Sequence, residues 1–535
     1  WPAKFEIMSF VTPYGINLNL GPAGKTWTFD MTDYAPIFNG EKRMTMERGG
    51  QWQEDMDIQF WFIVGTPPRD VIDINQIWRP ESRNYTDIMA DRYFPAKDVL
   101  MNPAGESFKI KTAITGHGQE GEFIARQHFV DINGGANEFM WNVWTECGDN
   151  PIYPQGGTWV YDRAGWCPGA PTDVRESDIT ALVTPGQVAN LDYGLMTASG
   201  DSRYIVSNQL VTYGAINHSL DAAVVEIREP SNRVEFTRFN SICHSPKVTI
   251  QNTGSTMLTS LTITYWVNNA ATPLTYEWTG SLEFLAKEEV ILPSPQELWN
   301  SIQPAANVFK VALSNPNNGT DEYTPNNYYS SNFEIPEVLP ANIVIWFKTN
   351  NAAFESSYDV RDSDGNVIFS RSNMTNNTQY RDTVMMGQGC YTYNVYDSGD
   401  DGISWWANND GNGINYIREV GGGTVKSFNG DFGDNIKFNF TVDFPLSYEE
   451  LNKIEKFKIF PNPATDELNI TLRGLNDELT IEVFNMVGQS VYKKSVNAEN
   501  SIYEGSIAID DLPNGMYTVQ ISDKDKTAHD SFVKQ

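Results

Sequence analysis

Three carboxylates, which are side chains able to bind a metal ion, crowd one glycine-rich turn of the sequence. Asp397, Asp400 and Asp401 all fall within the stretch DSGDDG. Neighbouring carboxylates repel one another, and a calcium ion relieves that repulsion because it binds oxygen ligands. The turn is therefore expected either to bind calcium or to remain a solvated acidic turn, and the spacing leaves both open.

The four cysteines predict one disulfide bond. Cys147 and Cys167 lie close together in turn-rich sequence, whereas Cys243 and Cys390 are far apart and are expected to lie in different domains. We therefore predict a bond between Cys147 and Cys167, which implies an oxidising compartment. Cys147 is expected to be structural, and the chain has no Gly-x-Ser-x-Gly elbow, so serine and cysteine hydrolases have no support.

The histidines do not have the spacing of a transition-metal site. They lie at positions 117, 128, 218, 244 and 529. No His-x-His or His-Glu-x-x-His pattern occurs, which disfavours zinc enzymes and copper monooxygenases. His117 and His128 are expected to pack or to hydrogen-bond in a loop region. A phosphate-binding loop at 19–26 is also disfavoured, because Asn19 stands where the pattern requires glycine.

The elements that hold these residues are predicted to be β-strands. Short apolar alternations, such as Phe108–Thr115 (FKIKTAIT) and Phe440–Phe444 (FTVDF), are separated by turns rich in Gly, Pro, Asn and Asp. A period of two is typical of strands with one buried face. Because 535 residues are too many for one core, several β-sandwich domains are expected. A capping box predicts one short helix at 447–455.

The charge of the chain excludes two classes of partner. The formal net charge is -30, which would repel nucleic acids and anionic lipid surfaces alike. The sequence has no apolar run of about 20 residues and no leader before Trp1, so any signal peptide is expected to have been removed. The strand pattern begins at Trp1 itself, and we therefore expect residues upstream to be missing.

The last 80 or so residues carry a set of turn and strand motifs in a distinctive order. Phe457–Ala464 (FKIFPNPA) is followed by Ile481–Val491 (IEVFNMVGQSV) and Leu512–Ile521 (LPNGMYTVQI). Together they resemble the type A sorting domain of the Bacteroidetes type IX secretion pathway. An ordinary small β-sandwich is the alternative, since Asn-Pro and Asn-Gly turns alone would support it. The signal residues are Pro461, Asn462, Pro463, Gly488, Gly515 and Tyr517.

The sorting-domain resemblance implies export across the outer membrane to the medium or the cell surface. The implied partners are the outer-membrane translocon and its β-barrel shuttle protein, which would bind residues 457–535. The domain is expected to be removed on anchoring or release.

A second group of motifs lies near the front of the chain. Ile114–Gly118 (ITGHG), Gly121–Asn133 (GEFIARQHFVDIN), Cys147–Ile152 (CGDNPI) and Gly157–Gly169 (GTWVYDRAGWCPG) resemble peptide:N-glycosidase F. That family cleaves the amide between an N-glycan and asparagine between two side-by-side jelly rolls, and it requires no metal or other cofactor. The resemblance implies an N-glycosylated protein or peptide as substrate.

The resemblance also assigns roles to individual residues. It places family carboxylates at Glu47 and Glu122, which would position water and sugar, because amide hydrolysis needs a held water and a proton source. Arg163 would polarise the carbonyl or hold the carboxylates through its planar fork of donors. Trp159 and Trp166 would stack on sugar faces, and His117 would also contact substrate. The family's principal catalytic aspartate lies in an earlier strand that has no equivalent here.

These features together predict an all-β, multidomain chain in which a double jelly roll precedes immunoglobulin-like and other β-sandwich domains. The predicted units are a partial first jelly roll (1–66), a second jelly roll with the active-site loops (67–232), an immunoglobulin-like adhesion-type domain (233–336), a β-sandwich with the acidic turn (337–445), a linker (446–456) and the sorting domain (457–535).

Two functions are compatible with these motifs. The first is an exported glycoamidase acting on N-linked glycoproteins or glycopeptides. The alternative is a non-catalytic surface protein that binds glycans or mediates adhesion, because the middle domains resemble adhesion modules. Calcium in the domain 341–444 is the one cofactor considered.

Overall fold

The computed structural model of the chain is built almost entirely of β-strands. It describes residues 4–15, 18–21, 24–47, 49, 55–136, 138–236, 238, 245–303, 306–442, 456–473, 478–485, 489–498, 502–523 and 527–535. The all-β, multidomain class predicted from the sequence is confirmed. Two compact units are present, one formed by Trp1–Pro295 with Ala305–Phe444 and one by Gln296–Pro304 with Pro445–Gln535. Among the described helices, none is long and apolar enough to cross a membrane.

The described helices are all short. Two are single α-helical turns, α1 (Tyr85–Ile88) and α2 (Gln119–Glu122). The others are 3-10 helices at Thr32–Phe38, Thr180–Leu182, Val234–Phe236, Gln296–Trp299, Pro316–Asn318 and Thr324–Asn326.

Before residue 67, the described residues do not form the strands that the sequence predicted. Its described residues contain only the 3-10 helix Thr32–Phe38 and an isolated bridge from Phe10 to Pro171. The prediction of a partial first jelly roll at 1–66 is therefore corrected. Alternating residues do allow one face to be buried, and here that face packs around buried Tyr34 on the sheet below. The pattern does not specify a neighbouring strand to pair with.

Eight strands make a sandwich of two four-stranded sheets, in the orders β1-β8-β3-β6 and β2-β7-β4-β5. The strands are β1 (Arg69–Asn84), β2 (Lys97–Leu100), β3 (Ser107–His117), β4 (Arg126–Ile132), β5 (Phe139–Val143), β6 (Val174–Asp178), β7 (Val188–Leu195) and β8 (Arg203–Ile216). Alternate residues of β3 are buried along its whole length, as its sequence pattern predicts. Both sheets contribute to one apolar core, and eight strands in two sheets match a jelly roll in number.

Seven strands form the next sandwich, in the orders β13-β10-β9 and β12-β11-β14-β15. They are β9 (Ala222–Glu229), β10 (Lys247–Asn252), β11 (Leu258–Val267), β12 (Leu274–Leu282), β13 (Lys287–Ile291), β14 (Asn307–Ser314) and β15 (Tyr328–Phe333). Because β9 pairs with β10, residues 222–229 belong to this sandwich rather than to the second jelly roll predicted at 67–232. An apolar strand pattern marks a strand but not its partner.

Nine strands form the third sandwich, in the orders β16-β24-β21-β18-β19 and β20-β17-β22-β23. They are β16 (Glu337–Val338), β17 (Asn342–Lys348), β18 (Ser356–Asp362), β19 (Val367–Arg371), β20 (Gln379–Met385), β21 (Gly389–Asp397), β22 (Ile414–Glu419), β23 (Thr424–Phe428) and β24 (Asn435–Val442). The acidic turn follows directly after β21. A long segment from this turn to β22 carries two adjacent tryptophans, Trp405 and Trp406.

The second unit contains the C-terminal sandwich, in the orders β25-β26-β29 and β28-β27-β30-β31. Its strands are β25 (Lys456–Phe460), β26 (Glu467–Arg473), β27 (Glu478–Asn485), β28 (Ser490–Asn497), β29 (Ile502–Ala508), β30 (Gly515–Ser522) and β31 (Thr527–Lys534). Gly488 and the helix predicted at 447–455 lie outside the described residues.

The Pro-Asn-Pro turn is attached to the last strand of this unit. Asn462 accepts a hydrogen bond from the Val533 amide at 3.0 Å and donates one to the Ser531 carbonyl at 3.0 Å. On the same strand, the Phe532 ring stacks with Tyr517, and the Tyr517 hydroxyl donates to the Pro513 carbonyl. The conspicuous Pro461–Pro463 motif thus anchors the end of β31 through one asparagine.

Candidate functional site

The loop between β5 and β6 carries most of the residues that the sequence singled out. The predicted disulfide between Cys147 and Cys167 is present and joins the two ends of this loop. Cys390 is disulfide-bonded as well, so the expectation of one disulfide is wrong.

Glu122 and Arg163 form an ion pair at the base of this loop. The Arg163 Nε donates to Glu122 Oε1 at 3.0 Å. Their backbones are joined as well, because the Ala164 amide donates to the Glu122 carbonyl at 2.9 Å. Arg163 exchanges two further backbone hydrogen bonds with Thr145. Although Glu122 and Arg163 are 41 residues apart in the sequence, the backbone hydrogen bonds hold their segments side by side. Their side chains therefore meet at a fixed position.

The Arg163 guanidinium makes four hydrogen bonds within the protein. Beyond Glu122, it donates to the Tyr161 carbonyl at 2.5 Å and to both the carbonyl and the hydroxyl of Thr158, at 2.7 and 3.0 Å. Its side chain is only 1% exposed. Of the two predicted roles, holding the carboxylate fits this geometry. Direct polarisation of a substrate carbonyl does not, because the group is buried and makes four hydrogen bonds to protein atoms, so that prediction is corrected.

Glu122 keeps one carboxylate oxygen available. Its side chain is 20% exposed, and Oε2 makes no hydrogen bond with any residue that the structure describes. Burial raises the pKa of Glu122, while the charge and hydrogen bond of Arg163 oppose that rise. A carboxyl group whose pKa is raised and which is oriented by a buried arginine is suited to exchange protons with a water or a leaving group.

Aromatic rings enclose the guanidinium. Tyr14, Phe123 and Trp166 have ring centroids 5.9, 5.2 and 4.9 Å from the Arg163 Cζ. Trp166 is buried, donates from Nε1 to the Gly116 carbonyl and stacks on His117. It therefore supports the ion pair and offers no open face to a sugar, which corrects its predicted role.

His117 lies at the edge of this cluster. Its Nε2 is 2.9 Å from the Thr115 hydroxyl. Burial, and to a lesser extent the charge of Arg203, lower the pKa of His117, which favours the neutral imidazole. Its predicted contact with substrate remains a prediction.

Trp159 is the second predicted stacking residue that the structure places elsewhere. It is 0% exposed and packs with Val160 and Trp405. Its Nε1 donates to Asp431 in the third sandwich at 2.9 Å. A stacking platform must expose a ring face, so the predicted sugar contact of Trp159 is corrected. Trp159 instead joins the loop to the third sandwich.

Glu47 is not brought to the Glu122–Arg163 pair. Its side chain is 77% exposed and forms an ion pair with Lys4 at 2.5 Å. Among the described residues, this is its one hydrogen bond. The spacing that assigned Glu47 carries no information about how the segment before β1 folds, and the catalytic role of Glu47 remains a prediction.

Arg238 joins the loop between β5 and β6 to the third sandwich by hydrogen bonds. The sequence did not predict this role. Its guanidinium donates to the carbonyls of Asn150, Gly148, Phe432 and Asn435. The Asp434 amide also donates to the Gly148 carbonyl at 2.9 Å. A lone arginine between domains has no sequence signature that distinguishes it from a surface arginine.

The acidic turn presents a different carboxylate group from the predicted one. Glu355, Asp397 and Asp401 bring ligand oxygens within 4.8 Å of one another, whereas Asp400 is not in this group among the described residues. Asp400 instead lies against Gly148. In the predicted calcium-binding group, Glu355 therefore takes the place of Asp400. No local sequence pattern could connect Glu355 with the turn. Burial, with Asp401 and Glu355 nearby, raises the pKa of Asp397 to about 7. Calcium binding remains a prediction.

Two parts of the chain match protein families. Residues 84–211 match the family described as "Peptide-N-glycosidase F, C terminal", and residues 458–535 match "Secretion system C-terminal sorting domain". The peptide-N(4)-(N-acetyl-beta-D-glucosaminyl)asparagine amidase F of Elizabethkingia miricola is 26% identical over 247 residues, which are 41% of this chain and 67% of that protein.

Solved structures give a weaker likeness. PNGase F, a glycosylasparaginase from Flavobacterium meningosepticum, is 25% identical, with a TM-score of 0.26, over 28% of this chain and 55% of its own. A second structure of a peptide-N(4)-(N-acetyl-beta-D-glucosaminyl)asparagine amidase is 24% identical with the same coverage and TM-score. The chain thus spans about half the length of these solved relatives.

These matches fall on the two regions that the sequence motifs selected. The chain carries a peptide:N-glycosidase F-like segment at the front and a type IX secretion sorting domain at its C-terminal end. The sorting domain makes it an exported protein, secreted or at the cell surface, that interacts with the secretion machinery.

Proposed function

We propose that this protein, a type IX secretion cargo with a peptide:N-glycosidase F-like segment, is a glycoamidase that cleaves the bond between an N-linked glycan and asparagine. The observation that supports this most is the Glu122–Arg163 pair, in which a buried arginine fixes a carboxylate whose second oxygen stays available. Glu122 lies within the segment that matches the family, and Arg163 lies there too.

In the proposed reaction, Glu122 holds a water against the amide carbonyl and accepts its proton as the oxygen attacks. The same carboxyl then donates that proton to the departing nitrogen, so that aspartate and a glycosylamine result. Its raised pKa suits both transfers, since a group that titrates closer to the working pH both accepts and donates protons effectively. Arg163 keeps the carboxylate in place throughout.

The sorting domain bears on where this reaction would take place. We infer that residues 457–535 bind the β-barrel shuttle of the outer-membrane translocon, so that the amidase meets glycoproteins outside the cell. The support is the family match over 458–535 and the strand β31 that Asn462 anchors.

The test is incubation of the purified protein with an N-glycosylated peptide and with the same peptide lacking the glycan. Mass spectrometry should show asparagine converted to aspartate only in the glycosylated peptide, together with the released glycosylamine or the glycan that it gives on losing ammonia to water. An untouched glycopeptide at high enzyme concentration would contradict the proposal.

One observation favours the alternative of a non-catalytic glycan-binding or adhesive surface protein. The second family carboxylate, Glu47, is paired with Lys4 and exposed, which leaves a single carboxylate at the described site. In that case the glycopeptide would bind to the protein but stay intact, a result that the same experiment detects when a binding measurement accompanies it.

A further inference from the structure

A row of aromatic rings runs from the Glu122–Arg163 pair to the third sandwich. Phe123 contacts Tyr161 at 5.8 Å between centroids, Tyr161 contacts Trp405 at 5.0 Å, and Trp405 contacts Trp406 at 6.2 Å. Each contact is edge to face, an arrangement that aromatic pairs prefer. The row therefore joins the glycosidase-like loop to the segment between β21 and β22.

Two rings of this row are open to solvent. Trp406 is 69% exposed and Tyr161 is 44% exposed. Trp406 is nevertheless held in place, because its Nε1 donates to the Gly157 carbonyl of the loop at 2.8 Å. An exposed tryptophan has little reason to be fixed by its neighbours unless its face is used, since fixing it costs conformational entropy without burying the ring.

A buried donor lies between these two rings. Trp405 is 4% exposed, and its Nε1 has no hydrogen-bond acceptor among the described residues. A buried donor without an acceptor costs free energy. Because this nitrogen is enclosed, Trp405 serves the row as a ring held between aromatic neighbours, and the case for a ligand rests on the exposed faces of Trp406 and Tyr161.

The charges beside the row limit the chemistry of such a ligand. Asp431 lies beneath Trp159, and Asp400 lies close to Asp162 and Glu146. Carboxylates repel anions and accept hydrogen bonds from hydroxyls. A neutral sugar, with apolar ring faces and hydroxyl edges, is complementary to both the rings and the acids.

We propose that Tyr161 and Trp406 form a platform that binds the neutral outer sugars of a glycan whose asparagine-linked end lies at Glu122. The platform rests on the proposed function only for the direction of the glycan, because binding of an oligosaccharide does not require turnover. The third sandwich thereby contributes to the choice of substrate. The platform favours long neutral glycans over short or acidic ones.

The experiment measures binding of three glycopeptides to the full chain by titration calorimetry, in a Glu122→Gln background that prevents turnover. The probes share one peptide and carry a single N-acetylglucosamine, a long neutral oligosaccharide or a sialylated oligosaccharide. We expect the long neutral probe to bind most tightly. Trp406→Ala should raise its Kd about five- to tenfold, and Trp406→Phe should keep most of the affinity.

The matched control is Trp61→Ala, which removes another exposed tryptophan that makes no contact with this row. It should leave all three Kd values unchanged, and Trp406→Ala should leave the single-sugar probe unchanged. If Trp406→Ala fails to fold, as judged by near-ultraviolet circular dichroism, Tyr161→Ala takes its place with the same expectation.

The outcomes separate the platform from the amidase. If the parent chain cleaves glycopeptides but Trp406→Ala and Tyr161→Ala bind the long probe as tightly as Trp61→Ala does, the platform is wrong and the amidase stands. If no glycopeptide is cleaved but the long probe binds through Trp406, the platform stands and the amidase is wrong. Equal loss of affinity for the single-sugar probe would also overturn the platform.

Discussion

At the residue scale, the site is organised by one arginine rather than by a pair of carboxylates. The motif GTWVYDRAGWCPG led to Arg163, and the segment GEF led to Glu122, and the two side chains do meet. The sequence could not show that the Arg163 guanidinium is buried and bonded to protein atoms, nor that Trp159 and Trp166 are covered. Side-chain burial depends on which distant segments pack over a motif, and that information lies outside it.

Replacing Arg163, even by lysine, is expected to lower the stability of the protein. Arg163→Lys removes the planar fork that binds Glu122, Tyr161 and Thr158 at once, while it leaves a buried charge with fewer partners. We expect the free energy of unfolding to fall by about 3 kcal/mol, measured by urea denaturation. Arg126→Lys, at a more exposed pair with Glu120, is the control and should change it little. Equal effects of the two substitutions would contradict this account.

The burial of His128 is expected to make the stability of the protein depend on pH. It is buried, hydrogen-bonded to the Tyr193 hydroxyl, and burial lowers its pKa to about 3. Since the unfolded chain binds the proton with a pKa of about 6.5, stability should be complete above that pH and fall as the pH drops towards 3. The slope from this group approaches about 1.4 kcal/mol per pH unit.

The measurement is the free energy of unfolding at several pH values in wild type and in His128→Gln, which keeps a polar group but cannot be protonated in this range. The difference in slope between pH 6.5 and pH 4 reports His128. Parallel curves for the two proteins would show that the imidazole is not buried in the neutral form.

At the element scale, strands were easier to predict than their partners. The alternating pattern of β3 was read correctly, and each sandwich shows the expected period of two. The strand β9 was assigned to the wrong sandwich, and strands were predicted before β1 that the described residues there do not form. Local sequence determines which face is buried, whereas pairing depends on contacts that are distant in sequence.

The loop between β5 and β6 should depend on its disulfide. Cys147 and Cys167 are separated by 20 residues, and a bond that closes a loop of this size stabilises a protein by about 3 kcal/mol. The Cys147→Ser, Cys167→Ser double variant should unfold at correspondingly lower denaturant concentration. It should also lose activity, because the bond holds the loop that carries Arg163. Full activity in the double variant would indicate that the remaining hydrogen bonds suffice.

The carboxylates Glu355, Asp397 and Asp401 predict a calcium effect on stability. Burial raises the pKa of Asp397 to about 7, so without a cation the folded state binds a proton there more tightly than the unfolded chain does. The contribution of Asp397 to the free energy of unfolding is therefore present at low pH and is lost as the pH rises towards 7. Calcium should reverse this and add about 2.7 kcal/mol at a free concentration about 100 times its Kd. Thermal unfolding with and without a chelator measures the effect at pH 7.5.

Asp401→Asn should abolish the calcium-dependent shift in Tm, whereas Asp364→Asn, in the nearby hairpin, should retain it. Asp364 is the matched control because it lies in another acidic turn of the same sandwich and is absent from the carboxylate group. A shift that survives Asp401→Asn would place the ion elsewhere.

At the scale of the whole molecule, the sorting domain and the site of the proposed catalysis lie in different parts of the chain. The sorting domain forms the second compact unit together with a short segment of the chain, and the Glu122 site lies in the first. Sequence motifs were enough to recognise both regions, since each combines several residues in a fixed order. They did not predict that the third sandwich packs on the loop between β5 and β6 through Arg238 and Trp159, because no sequence motif records an interface between domains.

The most direct test of the central claim compares Glu122→Gln with Glu120→Gln in the cleavage of an N-glycosylated peptide, followed by mass spectrometry. Both substitutions neutralise a carboxylate in α2, but only Glu122 contacts Arg163. The account predicts that Glu120→Gln keeps nearly the wild-type rate and that Glu122→Gln is slower by a factor of about 100 to 10,000. Equal rates for the two variants would contradict it.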